Sequence, residues 1–137
     1  MSIEKNRYEA ERWLRTAEQD LAAARVLHES GMYSQSCFLC RQAGEKALKA
    51  LWRLFDADPW GHSVQRLVED FSGDLETREE WINHAALLDK YYIPTRYPNG
   101  LPDLTPGEVY REDDSTRGLT SAQALISGVT RRFQTKS

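Results

Sequence analysis

The stretch that decides the fold spans residues 33–56 and reads YSQSCFLCRQAGEKALKALWRLFD. Its apolar and small residues recur every three or four positions, which is the spacing of one face of an amphipathic helix. This face comprises Cys37, Cys40, Gly44, Ala47, Leu48, Leu51, Leu54 and Phe55. The pattern predicts a helix that begins at the tyrosine and serine at 33–34 and ends near Asp56.

A longer amphipathic helix is predicted immediately before it, over residues 4–30. Its apolar face comprises Ala10, Trp13, Leu14, Ala17, Leu21, Ala24 and Leu27. Gly31 is a stop signal, because glycine readily adopts the left-handed conformation that ends many helices. Only two residues separate the two patterns, and so short a connection makes neighbouring helices antiparallel. The first 56 residues therefore predict a helical hairpin.

Two shorter helices are predicted downstream. Ser63 is a candidate N-cap for a third helix that stops at Gly73. Thr77-x-x-Glu80 has the form of a capping box that would start a fourth helix, which Pro94 closes. The apolar positions are Val64, Leu67, Val68 and Phe71 in the third helix, and Trp81, Ala85, Leu88 and Tyr92 in the fourth.

Residues 94–114 interrupt the helical pattern, because four of the five prolines lie there, at positions 94, 98, 102 and 106. Tyr92, Tyr97 and Tyr110 lie in or beside this segment and favour packing, so we expect an ordered loop that lies on the helices. A last helix is predicted over residues 116–134, capped by Asp114 or Ser115. The chain therefore predicts a single all-α domain over residues 1–137, an up-and-down antiparallel bundle of four to five helices.

Composition and charge exclude several classes of protein. A chain of 137 residues, 40% hydrophobic and 28% charged, has the make-up of one globular domain. No stretch approaches the ~18 apolar residues of a membrane span, and the charged N-terminus is unlike a signal peptide, which predicts a cytoplasmic protein. The net charge of −3 argues against a sequence-independent grip on duplex nucleic acid. Residues 57–93 carry eight acidic and three basic side chains, so a phosphate site is expected outside them.

The cysteines and histidines do not predict a metal site. Cys37 and Cys40 form a single C-x-x-C on the apolar face of the second helix, without a second pair, and we expect buried, reduced thiols. The three histidines are not spaced as metal ligands. We therefore expect no metal and no cofactor.

Arg78 and His84 form an R-x5-H pair, which offers a histidine for proton transfer and an arginine for charge that develops on phosphorus. Glu79 and Glu80 beside Arg78 would repel RNA phosphates, and the alternative interpretation is a solvated helix start. These two residues, with His62, are the weak catalytic candidates.

The second helix carries Arg41, Glu45 and Lys49 at intervals of four, together with Lys46 and Arg53. Such spacing is typical of a surface ion-pair ladder worth tenths of a kcal/mol per pair. The alternative is a basic ridge that faces a phosphate or the Pro-rich loop.

The stretch KYYIPTRYPN, residues 90–99, combines two cations with three tyrosines. Tyrosine rings can stack on bases, and Arg96 could bind phosphate through two hydrogen bonds. Alternatively, the tyrosines attach the loop to the bundle and Arg96 pairs with an internal carboxylate such as Glu45 or Asp89. The residues alone leave both open.

The chain resembles small stand-alone members of the HEPN family, the higher eukaryote and prokaryote nucleotide-binding domains. The resemblance covers nearly the whole chain. It rests on Trp13-Leu14-x-x-Ala17-x-x-Asp20-Leu21, Gly31-x-Tyr33, Gln42-Ala43-Gly44-Glu45-Lys46-Ala47-Leu48-Lys49-Ala50, His62-Ser63 and Leu88-Asp89-x-Tyr91-Tyr92-Ile93-Pro94-Thr95-Arg96-Tyr97-Pro98.

The resemblance implies a helical bundle that often forms homodimers and is often encoded beside a minimal nucleotidyltransferase, as a toxin and antitoxin pair. Some relatives are metal-independent endoribonucleases with an R-x4-6-H motif in a late helix, whereas Arg96 here has no histidine four to six residues beyond it. The expected function is a nucleotide- or nucleic-acid-binding module that partners such a nucleotidyltransferase. The alternatives are an endoribonuclease toxin and a purely structural dimeric partner. The implied contact surface comprises Arg96, Tyr97, Tyr92, Tyr91, Lys49, Lys46, Glu45 and His62.

Overall fold

The computed structural model describes residues 2–92, 98, 101 and 103–136. These residues contain six helices and no strand, which confirms the predicted all-α class. The helices are α1 (Ile3–Glu29), α2 (Tyr33–Leu54), α3 (Val64–Glu69), α4 (Arg78–Asp89), α5 (Pro106–Val109) and α6 (Glu112–Thr135). None of the helices in this part of the chain is long and apolar enough to cross a membrane.

Helix α2 is the centre of the bundle, since it packs against every other helix and most extensively against α1 and α6. The predicted hairpin of α1 and α2 is confirmed. Gly31 adopts φ +78° in its turn, and the Met32 N–H donates to the Leu27 carbonyl at 2.8 Å. Helix α2 ends at Leu54, two residues before the predicted end, because Asp56 is already in the left-handed region with φ +56°.

The start of α3 is held by two side chains. Ser63 Oγ accepts a hydrogen bond from the Arg66 N–H at 3.1 Å, which confirms the predicted N-cap. Asp89, at the end of α4, accepts hydrogen bonds from the N–H groups of Val64 and Gln65 and from the Ser63 hydroxyl. A carboxylate is favourable at the positive end of a helix, so this contact fixes the start of α3 against the end of α4.

The predicted capping box at Thr77 and Glu80 is wrong. Thr77 is the N-cap of α4, but its side chain accepts no capping hydrogen bond. The start of α4 is held instead by Arg78, whose guanidinium donates to the carbonyls of Val68 and Gly73 at 2.6 and 2.7 Å. Helix α3 ends at Glu69, before the predicted stop at Gly73.

Helices α5 and α6 correct the prediction for residues 94–114. Helix α5 forms inside the predicted loop, where the Glu108 carboxylate accepts from the N–H and hydroxyl of Thr105. Helix α6 begins at Glu112 rather than near 116, because Asp114 lies in its first turn and accepts from the Arg111 N–H at 2.8 Å. Arg111, and not Asp114 or Ser115, is the N-cap. The rest of the predicted loop, residues 93–97, 99, 100 and 102, lies outside the described residues.

The contact between α4 and α6 depends on a glycine. A Cβ atom at Gly128 would lie 2.5 Å from Cζ2 of the Trp81 ring, and 3.0 and 3.1 Å from two further ring atoms. Trp81 is buried, and its rigid ring cannot move aside as the end of a flexible chain could. A side chain at position 128 must therefore push α4 and α6 apart.

We expect Gly128→Ala to lower the free energy of unfolding. Overpacking costs about 1–3 kcal/mol, which exceeds the ~1 kcal/mol that alanine gains over glycine inside a helix. Gly107→Ala is the control, since a Cβ there meets nothing within 4 Å. Urea unfolding measures both variants; a Gly128→Ala protein as stable as the wild type would contradict this packing.

Candidate binding surface over a buried ion pair

The candidate site is built around Arg41, which lies in the middle of α2 and is only 1% exposed. Its Nη1 lies 2.8 Å from Glu45 Oε1, one helical turn along, and donates to the His62 carbonyl at 2.9 Å. Its guanidinium also lies over the Tyr92 ring, 4.4 Å from the ring centroid. A buried cation needs a counter-charge and hydrogen-bond acceptors, and α2 and the turn before α3 supply them here.

Glu45 connects the buried cation to the surface. Its Oε2 lies 2.9 Å from Lys49 Nζ and 3.2 Å from His62 Nδ1. Burial alone would raise the pKa of Glu45, but the hydrogen bonds of Lys49 and His62 and the charges of Arg41 and Lys49 outweigh it, and the pKa is lowered. Glu45 is therefore ionised at neutral pH.

The ion-pair ladder predicted for α2 exists, but its predicted place on the surface is wrong. Arg41 and Glu45 are buried and the Lys49 side chain is 13% exposed. The spacing of four residues explains why Arg41, Glu45 and Lys49 pair. The groups that cover them come from elsewhere, from the turn at His62 and from Tyr92 beyond α4. Within the described residues, Arg41 Nε and Glu45 Oε1 have no hydrogen-bond partner, so the 2.8 Å contact of Oε1 with Nη1 is an ion pair without hydrogen-bond geometry.

Two exposed rings lie above this network. The rings of His62 and Tyr92 are nearly parallel, with centroids 6.2 Å apart and an interplanar angle of 21°. The His62 side chain is 65% exposed and Tyr92 is 42% exposed. Arg41 and Lys49 beneath them outnumber Glu45, so these three network side chains carry one net positive charge. Flat, exposed rings beside positive charge suit a planar, anionic ligand.

The other predicted contact residues lie elsewhere or outside the described residues. Lys46 Nζ lies 2.7 Å from Asp20 Oδ2 and so pairs with α1. Tyr91 is 5% exposed, and its hydroxyl donates to the Asp114 carbonyl at 2.8 Å. Arg96 and Tyr97 belong to the residues that the structure does not describe.

The structure does not join Arg78 and His84 by a hydrogen bond. Arg78 donates to the carbonyls of Val68 in α3 and of Gly73 beyond it, and Nδ1 of His84 lies 2.9 Å from Ser121 Oγ on α6. Both contacts connect neighbouring elements of the bundle. Of the three catalytic candidates, His62 is the one that lies beside the buried ion pair.

The cysteines are free and buried, which confirms the predicted thiols. Burial is the largest cause that raises the pKa of each thiol to about 12, so both are neutral at physiological pH. Within the described part of the chain, no group of three His, Cys, Asp or Glu side chains is placed to hold a metal ion.

Comparison with known proteins identifies relatives of this architecture. A family model described as HEPN domain matches residues 10–132. A protein of Methanocaldococcus jannaschii named "Putative toxin MJ1304" is 25% identical over 126 residues, which cover 85% of this chain and 83% of that protein.

Solved structures with a similar fold cover about nine-tenths of this chain. TT1696 from Thermus thermophilus is 35% identical, with a TM-score of 0.86 over 90% of this chain and 97% of that one. ST0689, described as an archaeal HEPN homologue, is 31% identical with a TM-score of 0.77 over 90% and 97% of the two chains. A HEPN domain protein of Thermotoga maritima is 29% identical with a TM-score of 0.73 over 91% and 99%.

We expect Glu45→Gln to destabilise the fold by about 3–5 kcal/mol, because it leaves the buried Arg41 without a counter-charge. The control is Glu11→Gln, which removes an exposed pair with Arg7 and should cost less than about 1 kcal/mol. Chemical unfolding at neutral pH measures both; equal effects would contradict a buried, charged Glu45.

The Glu45 carboxylate also predicts how the stability of the protein changes at acidic pH. Because the pKa of Glu45 is lowered in the folded state, its contribution is complete above the ordinary value of 4.5 and is lost as the pH falls through the lower, folded value. The stability gap between wild type and Glu45→Gln should therefore shrink below about pH 4.5. If the difference in the free energy of unfolding between the two proteins stays constant below that pH, the ionised Glu45 carboxylate does not stabilise the fold.

Proposed function

The chain belongs to the HEPN family, and from this premise we propose that it is a binding module for a nucleotide or a short single strand of RNA. The observation that supports this is the His62 and Tyr92 ring pair, exposed above the buried Arg41, Glu45 and Lys49 network. A base can stack on these rings, and base–aromatic stacking contributes ~1–3 kcal/mol per base.

The network would prepare this surface before a ligand arrives. Arg41 holds the His62 backbone through its carbonyl and the Tyr92 ring through its face, while Glu45 contacts the His62 ring. Contacts that are ordered in advance reduce the entropy lost on binding. Arg96 and Tyr97, which follow Tyr92 closely in sequence, remain candidates for phosphate and base contacts on sequence grounds.

The proposal includes a partner. The family resemblance supports a homodimer that acts in the cytoplasm beside a minimal nucleotidyltransferase, as half of a toxin and antitoxin pair. The toxin name of the Methanocaldococcus jannaschii relative agrees with such a setting. Co-expression with a nucleotidyltransferase encoded beside it, followed by size-exclusion chromatography with light scattering, tests the partner and the dimer together.

A second candidate function is a metal-independent endoribonuclease, which one observation favours. Nδ1 of His62 lies 3.2 Å from the ionised Glu45, so the carboxylate can orient the ring and leave Nε2 for proton transfer. The arginine beside this histidine, however, is Arg41, which is buried beneath the rings and already paired. We therefore rank binding above catalysis.

We expect nucleotides or short single-stranded RNA to raise the melting temperature of the wild-type protein, since a ligand at about 100 times its dissociation constant adds roughly 2.7 kcal/mol. His62→Ala and Tyr92→Leu should weaken binding about 5- to 100-fold, because each removes a stacking ring. Leucine keeps an apolar cover over Arg41. Thermal shifts and calorimetry measure the effect.

The matched control is Tyr8→Ala, which removes an exposed tyrosine from α1 and should leave binding unchanged. No shift with any nucleoside phosphate or short RNA would overturn the binding proposal. Equal losses in Tyr8→Ala and Tyr92→Leu would show that the rings at 62 and 92 are not the contact surface.

Incubation of labelled RNA with the protein in EDTA separates the two functions. A binding module leaves the RNA intact. Cleavage that persists in EDTA and disappears in His62→Ala would establish the ribonuclease instead. Cleavage that disappears in His84→Ala but not in His62→Ala would move the site to α4.

A further inference from the structure

A further exposed aromatic side chain, Trp60, lies two residues before His62 and lines a cleft with it. Trp60 is 79% exposed on the turn between α2 and α3, where a large apolar ring is costly to leave in water. It borders a cleft of about 160 Å³ that is also lined by Trp52, His62, Arg66 and Asp70. Among the described residues, no other ring packs against the Trp60 indole.

The residues on either side of Trp60 shape the backbone of the turn. Gly61 has φ +84°, a conformation that most side chains disfavour, and Pro59 restricts the backbone on the other side. The floor of the cleft is held by Trp52, whose Nε1–H donates to the Leu67 carbonyl at 2.9 Å. Two of the residues that line the cleft with Trp60 are thus joined by a hydrogen bond.

The cleft itself is lined by one cation, Arg66, and one carboxylate, Asp70, but the segment that carries most of it is acidic. Residues 56–70 carry four acidic side chains and one basic side chain, and all four carboxylates lie on exposed residues: Asp56, Asp58, Glu69 and Asp70. The one basic residue, Arg66, reaches Asp70 at 3.8 Å, with side chains 72% and 48% exposed. So long and exposed a pair is weak, and a competing cation can replace it.

We propose that the Trp60 cleft docks an arginine or lysine side chain from a basic segment of a partner protein. Tryptophan is the ring that attracts cations most strongly through its face, and Asp70 supplies a carboxylate in the same cleft. Tryptophan is also enriched among the residues that dominate protein interfaces. A nucleic acid strand is disfavoured here because its phosphates would meet the Asp70 carboxylate, within a segment that has four acidic side chains and one basic one.

The test uses two short peptides of glycine and serine, one with two arginines and one with citrulline, the neutral isostere, in their place. NMR of the indole N–H groups follows the four tryptophans, and Trp60→Phe assigns the signal of Trp60. We expect the arginine peptide to shift this signal saturably and the citrulline peptide to bind at least about fivefold more weakly.

Variants of the cleft residues test whether the peptide binds there. Trp60→Leu should weaken peptide binding by about 3- to 30-fold, whereas Trp60→Phe keeps a ring and should lose less. Asp70→Asn should also weaken it, while Glu76→Gln, an exposed acidic control outside the cleft, should not. Trp60 is exposed, so these variants should fold as the wild type does.

Equal binding of the two peptides, or arginine-peptide binding that Trp60→Leu does not change, would overturn the docking proposal. A Trp60 signal that responds to oligonucleotide and not to the arginine peptide would assign the cleft to nucleic acid instead. Nucleotide binding by Trp60→Leu is measured in parallel and should be retained. The docking proposal and the nucleotide proposal can therefore fail separately.

Discussion

The burial of Arg41 constrains the elements that surround it. A guanidinium in the interior loses its hydration, and that loss is tolerated only where counter-charge and acceptors surround it. Glu45 supplies the charge, the His62 carbonyl accepts a hydrogen bond, and Tyr92 covers the guanidinium with its ring face. These groups come from α2, from the turn before α3 and from the segment after α4. Folding the ion pair therefore also assembles the surface above it.

The short helices serve this arrangement. Asp89 at the end of α4 holds the start of α3, and Arg78 at the start of α4 holds the end of α3. The two helices are thus locked at both ends, which fixes the turn that carries Trp60 and His62. His62 belongs to both sites, because its ring stacks with Tyr92 over the buried network and it also lines the Trp60 cleft. A ligand over the buried network and a partner in the Trp60 cleft would both contact His62.

The sequence predicts the long helices well because their apolar faces repeat over many turns, as in α1 and α2. It predicts short elements poorly. Thr77 and Glu80 have the spacing of a capping box, but the Thr77 side chain makes no capping hydrogen bond. Thr105 and Glu108 do form hydrogen bonds that start α5, inside a segment predicted to be a loop. The pairing of Arg41, Glu45 and Lys49 follows from their spacing. Their burial does not, because the covering residues, His62 and Tyr92, are brought there by tertiary contacts that no local pattern encodes.

We expect a ligand to bind this protein at the rings of His62 and Tyr92. The most direct test is NMR of the protein with labelled histidine and tyrosine rings, titrated with adenosine monophosphate and then with a short single-stranded RNA. The other two histidines provide internal controls, since His28 and His84 are hydrogen-bonded to Ser115 and Ser121 at other places in the bundle. We expect the His62 and Tyr92 ring signals to shift together and saturate, while the ring signals of His28 and His84 do not change. Rings at 62 and 92 that do not respond, while His84 does, would contradict it.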